Sequence, residues 1–204
     1  RHLAHSLKDK FKIIALDHLG SGYSDHPNNL KYRLKDHINT LSEFIKLKGL
    51  KKVNLLVHDW GGAIGLGWAK NNIDKVDKLI ITNTAAFYSK DVPKRIALLK
   101  LPYIGNFLIR KFNLFAWSSL YMGSHKGLSK ESKNLLISPT KNTNGTLGIA
   151  KFVQDIPLSK KHPSYKTLIE IEASLPKIKV PNHEKTIPVD TPLILIFLVC
   201  FLYQ

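Results

Sequence analysis

The sequence predicts an α/β fold: a parallel, doubly wound sheet carrying a helical insertion. Three observations predict it. Short apolar runs alternate with helical patterns through residues 1–91. The second of these runs has almost no polar alternation, as a central parallel strand covered on both faces requires. After Val92 the strand signal stops and aromatic-rich helical patterns replace it. Strands alternating with helices imply right-handed crossovers, and ligands in such sheets bind beyond the carboxyl ends of the strands.

Phe11–Leu16 is the first β-rich run, and Asp17 to Pro27 behind it is dense in turn residues. From Tyr32 to Lys48, Leu34, Ile38, Leu41 and Ile45 recur at three- and four-residue steps and build one apolar helical face, which Gly49 ends. Val53–Val57 is the next strand, Gly61–Asn71 a helix rich in small residues, and Lys78–Asn83 a third buried strand. Between Val92 and Ile156 the segments Ile96–Leu99, Phe107–Ile109 and Phe112–Trp117 read as short helices lying over the sheet's carboxyl edge. A further helix over Tyr165–Leu175 leads to Lys179-Val180-Pro181, where another strand is expected.

The division that follows is a partial core at 1–91, a helical cap at 92–157, a return to the core at 158–181, and an apolar tail at 182–204 foreign to the domain. Leu193 to Tyr203 is apolar throughout, eleven residues where a membrane span needs about 20. A buried strand at Leu193–Phe197 and a C-terminal membrane anchor are the other readings of that tail. The chain opens on Arg1 instead of Met and has no apolar leader behind it, so its start is expected upstream and its location is expected to be cytoplasmic.

The net charge is +16, but only four of the 31 basic residues are Arg (Arg1, Arg33, Arg95 and Arg110). Phosphate and base readers lean on Arg forks. Lys scattered without a sustained run reads instead as a solvated surface, with a loose attraction to anionic membrane as the second reading and no nucleic-acid partner. One cysteine, Cys200, excludes a disulfide framework within the chain.

The stretch that carries chemistry is Leu55-Leu56-Val57-His58-Asp59-Trp60-Gly61-Gly62-Ala63. A buried strand ends, one residue occupies a sharp turn, and a helix starts on paired glycines that let it approach the strand. This is a nucleophile elbow, usually with Ser at its apex; here the apex is Asp59. A carboxylate oxygen can displace a leaving group from a saturated or strained carbon and form an ester with the protein. Amide N–H groups at the helix start, Trp60's among them, can stabilise the charge that develops. The Trp60 indole N–H, a donor only, suits a halide or an oxyanion. The bland alternative is that Asp59 caps the helix and Trp60 fills the core.

The elbow resembles that of the haloalkane dehalogenase and epoxide hydrolase branch of the α/β-hydrolase superfamily. Asp17-His18-Leu19-Gly20-Ser21-Gly22-Tyr23-Ser24-Asp25 resembles the Asp-x-x-Gly-x-Gly-x-Ser loop of the same branch. Ile81–Phe87, Pro93–Ala97 and Lys151–Pro157 are similar to the dehalogenase-like β-lactone decarboxylases of olefin biosynthesis. The likeness runs over about residues 1–181. It implies a three-layer α/β-hydrolase fold with a helical cap, incomplete here, and Asp59 as the nucleophile toward a haloalkane, an epoxide or a β-lactone. It also implies Trp60 at the substrate or halide, apolar lining from Phe107, Phe112, Phe115 and Trp117, and no metal or organic cofactor.

The branch also needs a His base oriented by an acid. His125, His162 and His183 are the candidates after Asp59, and none follows a last strand with an acid ahead of it. His58 is expected to point away from the site. Asn83 stands where some dehalogenases place the acid, and an amide cannot be that anion. The expectation is therefore a fragment that alkylates Asp59 without completing hydrolysis. An inactive remnant and a tail-anchored membrane-surface protein are the rivals.

Overall fold

A computed structural model of the chain describes residues 2–101, 103–122, 127–141, 144–178 and 193–198. Its sheet has four parallel strands in the order β1-β4-β2-β3: β1 is Lys12–Ala15, β2 Val53–His58, β3 Val76–Thr82 and β4 Leu193–Leu198. The helices are α1 (His2–Leu7), α2 (Leu34–Leu47), α3 (Trp60–Ala69), α4 (Lys94–Leu99), α5 (Ile104–Phe112), α6 (Leu114–Met122), α7 (Lys130–Ile137), α8 (Leu147–Asp155) and α9 (Tyr165–Ser174).

The described residues fall into two compact units. One gathers those of Arg1–Leu16, Ile38–Tyr88 and Lys166–Val199; the other gathers those of Asp17–His37 and Ser89–Tyr165. In the first unit, β2 is flanked by β3 and β4 along its length, with Leu55 opposite Leu79 on one side and Leu195 on the other. Val53, Leu55 and Val57 are fully buried, which accounts for the missing polar alternation. Helix α3 is buried from Gly61 to Ala69. Its Gly67 faces Ile38 and Ile171, and a Cβ there would press on both side chains.

The tail departs from its sequence reading. Leu193–Leu198 does not stand apart from the domain; it pairs with β1 from Lys12↔Leu193 to Ala15↔Ile196 and with β2 from Asn54↔Ile194 to His58↔Leu198. An uninterrupted apolar run is the pattern of an inner parallel strand, so the composition that marked the segment as foreign is also what a central strand needs. The strand expected from Lys179 lies outside the described residues, as do most of 182–204.

In the second unit, the turn-rich loop after β1 belongs with the inserted helices and not with residues 1–91. The Gly148 N–H donates to the Gly20 carbonyl at 2.7 Å, and a Cβ on Gly148 would strike that carbonyl. The Tyr23 hydroxyl bonds Ser138 Oγ at 2.6 Å. The strongest tie is Asp155, buried at the end of α8. It accepts from the Arg33 guanidinium at 2.9 Å, from the Leu34 N–H at 2.7 Å and from the Ser164 hydroxyl. A carboxylate from a distant helix thereby satisfies an orphan donor in the first turn of α2, where negative charge is favourable.

His37 sits on the same buried stripe of α2 as Leu34 and Leu41. It stacks on Phe152 with ring centroids 4.5 Å apart, and His18 stands edge-on to it at 5.7 Å. Among the described residues neither His37 ring nitrogen has a hydrogen-bond partner. Burial pushes His37 down to about 4, and burial together with the neighbouring His37 pushes His18 down to about 3. Below pH 6.5 an unfolded chain binds protons that these folded rings refuse. Stability is therefore expected to be full above that pH and to fall as pH drops toward 4. Thermal unfolding midpoints at pH 7 and pH 5 will show this drop, and His37→Phe should flatten it.

Candidate active site

The site is built at the carboxyl end of β2, inside the first unit. β2 ends at His58, α3 begins at Trp60, and Asp59 is the single residue between them, at φ 47° and ψ −129°. The ladder with β3 runs to His58↔Thr82 and continues one step further, where the Asp59 N–H donates to the Asn83 carbonyl at 3.1 Å. The Gly62 N–H donates to the Asp59 carbonyl at 2.9 Å and opens the helix. Asp59 and Trp60 are both half-buried.

Asp59 stands at the helix N-terminus, yet its side chain makes no capping hydrogen bond to the first turn. A capping Asp folds its carboxylate back onto the N2 or N3 amide. At φ 47° and ψ −129° Asp59 forms no such cap. Positive φ at the apex, one strand residue before and a helix after are the geometry that presents a nucleophile at a sheet edge.

Thr84 has a role that the sequence did not disclose. Its hydroxyl donates to the Asp59 carbonyl, and a Cβ on Gly62 would collide with its side chain. The second glycine of the pair is thus required by Thr84, which clamps the elbow from the exit of β3. No sequence signal singles out this threonine, since it lies past a strand end among other small residues. Removing the hydroxyl in Thr84→Val should destabilise the chain by about 1 kcal/mol. It should also slow any reaction of Asp59, with Thr84→Ser restoring both; unfolding and labelling rates measured in parallel will separate the two effects.

His58 is turned toward β3. Its Nδ1 lies 3.1 Å from the Thr82 carbonyl, and the Thr82 hydroxyl donates to the Val57 carbonyl. His125 and His183 lie outside the described residues. His162 belongs to the second unit: its Nδ1 accepts from the Ser164 N–H and its Nε2 lies 3.2 Å from the Gln154 carbonyl. Those bonds fix one neutral tautomer with both nitrogens occupied. Burial lowers its pKa, against the opposing pull of Asp155.

Asn83 is exposed at the end of β3 with φ 31°, and it holds Asp59 through its backbone carbonyl. Of the four apolar cap residues, Phe115 is buried, while Phe107, Phe112 and Trp117 are about half exposed. Among the described residues no cluster of three or more His, Cys, Asp and Glu side chains is placed to hold a metal ion. None of the described helices is long and apolar enough to cross a membrane.

Comparison with known proteins adds a lineage to this geometry. A family model described as the alpha/beta hydrolase fold matches residues 1–169. The chain is 35% identical over 190 residues to a cis-3-alkyl-4-alkyloxetan-2-one decarboxylase of Shewanella oneidensis, covering 89% of this chain and 60% of that protein. It is 33% identical over 187 residues to the protein of the same name from Xanthomonas campestris pv. campestris, covering 86% of this chain and 62% of the relative. The chain thus spans about three fifths of the length of these curated relatives. A crystal structure of a putative ancestral haloalkane dehalogenase superposes with a TM-score of 0.69 at 23% identity, covering 89% of this chain and 62% of that one. At that identity the superposition speaks for the fold alone.

Proposed function

The chain belongs to the α/β-hydrolase fold family, and from that premise we propose that Asp59 is a nucleophile toward a saturated carbon of a small apolar substrate, in first place a dialkyl β-lactone. The observation that carries this reading is the elbow. A carboxylate sits at the positive-φ apex between β2 and α3, and it makes no capping bond to the helix behind it. The preference for a β-lactone comes from the two relatives, whose names describe decarboxylation of an alkyl-substituted oxetan-2-one.

The chemistry closes without further groups. Asp59 attacks the ring carbon that carries the lactone oxygen. That C–O bond breaks, the oxygen leaves with the electron pair as a carboxylate, and an ester joins Asp59 to the alkyl chain. The C–C bond to the new carboxylate then breaks. Carbon dioxide departs, the electron pair forms the alkene, and the Asp59–carbon bond cleaves to return the carboxylate. No water and no net proton transfer is required. Donors at the start of α3, with the Trp60 indole N–H, would stabilise the departing carboxylate.

A haloalkane is the second reading, favoured by Trp60, a donor-only side chain adjacent to the nucleophile and suited to a departing halide. Products discriminate between sites of attack. A cis-dialkyl β-lactone incubated with the chain should give carbon dioxide and an alkene in equal amounts. Recovery of a β-hydroxy acid that retains the lactone's configuration at the carbon bearing oxygen would place the attack at the carbonyl and reject the proposal.

A further inference from the structure

We propose that the exposed face of α5 and α6 docks the protein on an anionic lipid bilayer surface. The inference does not rest on Asp59 chemistry. On α6, Leu114, Trp117 and Tyr121 recur at three- and four-residue steps and are 40%, 47% and 68% exposed, while Phe115 and Leu120 are buried on other sides of the helix. On α5, Ile104 and Phe107 are more than half exposed, and Gly105 and Ile109 take the buried side. Phe112 at the end of α5 meets Phe107 edge-on at 5.6 Å, so the two rings form one exposed apolar patch. Aromatic and aliphatic side chains displayed together on a soluble surface mark an interaction site.

The charge of the segment that carries this patch identifies the occupant. Residues 92–157 contain ten Lys and Arg but only two acidic residues, Glu131 and Asp155. Asp155 is buried against Arg33, which leaves Glu131 as the one acid of the segment outside that pair. Half of the chain's net charge of +16 therefore lies in about a third of its length. The Lys133 ammonium stands 5.0 Å from the Tyr121 ring centroid, and Lys111 is exposed on α5. Tryptophan, tyrosine and phenylalanine beside lysines is the composition that seats a helix in the headgroup region of an anionic leaflet. A second copy would bring two strongly basic faces together, and a nucleic acid offers nothing to Ile104 or Leu114.

The test is co-sedimentation of the full chain with vesicles of phosphatidylcholine alone and with about 30% phosphatidylglycerol. Partitioning onto the anionic vesicles should be at least about tenfold stronger and should weaken with added salt. Two double variants probe the two halves of the surface: Phe107→Ser with Trp117→Ser, and Lys111→Glu with Lys133→Glu. Phe107, Trp117 and Lys111 are exposed and Lys133 is half-buried beside the exposed Tyr121 ring, so both variants should melt close to the parent, and each should lose about tenfold in binding. Parent-like binding by both variants would overturn the proposal. So would equal binding to neutral vesicles, or a dimer of the parent that dissociates when Phe107 and Trp117 are replaced.

Discussion

A long-chain haloalkane should add to Asp59 once per chain and stay there, whereas a β-lactone should turn over repeatedly. Both substrates ask the same of the first step: a carboxylate at the elbow and stabilisation of a leaving group. They differ in what frees the ester. An alkyl ester left by halide departure carries no built-in electron source and waits for water activated by a base, a step for which a positioned base contributes about 10²–10⁴-fold. Among the described residues after Asp59, the one histidine is His162, and both of its ring nitrogens are already committed. The ester left by a lactone carries its own carboxylate, and loss of carbon dioxide expels Asp59. Intact-mass measurement should find about one alkyl adduct per chain with the haloalkane, mapped to Asp59, and halide release should stop at about one equivalent. Halide released many times over would show that a base is supplied from residues outside those described.

Asp59→Asn should remove both reactions almost entirely while leaving the fold in place. An amide oxygen is a poor nucleophile, and loss of a covalent catalytic group costs on the order of 10⁴-fold or more. The substitution should be nearly neutral for stability. Asn tolerates positive φ as Asp does and is close to it in size and shape, and the helix cap does not involve the carboxylate. A change within about 0.5 kcal/mol is expected from chemical unfolding. Alkene release or adduct formation persisting in a well-folded Asp59→Asn sample would move the nucleophile elsewhere.

The elbow was legible because it is written in consecutive residues. A buried strand, one polar residue and paired glycines constrain one another locally, and the register of β2 carried the reading through to Asp59. The same holds for α2, whose apolar period named Leu34, Leu41 and Ile45 as the buried face. That period missed His37, which lies on the face but is polar by composition, and which is enclosed by the rings of Phe152, His18 and Tyr32. Contacts between distant residues were not legible. Arg33 meets Asp155 across 122 positions, and β1 meets β4 across about 180, so neither pairing leaves a local trace. Thr84 fell between these cases: close to Asn83, which was noted, but meaningful only against Gly62.

The conformation of Asp59 has a thermodynamic consequence. At φ 47° and ψ −129°, the residue occupies a region where a Cβ is poorly tolerated and glycine is at home. Holding a non-glycine residue there costs about 1–3 kcal/mol of folding free energy, stored as local backbone strain. The strain is supported by the bonds from Asn83 and Thr84 and by the buried packing of α3. Replacing Asp59 by Gly should release it. Asp59→Gly is thus expected to be as inactive as Asp59→Asn and yet more stable, by about 1 kcal/mol or more in chemical unfolding. The residue proposed as the nucleophile is then also one at which selection for stability alone would choose glycine.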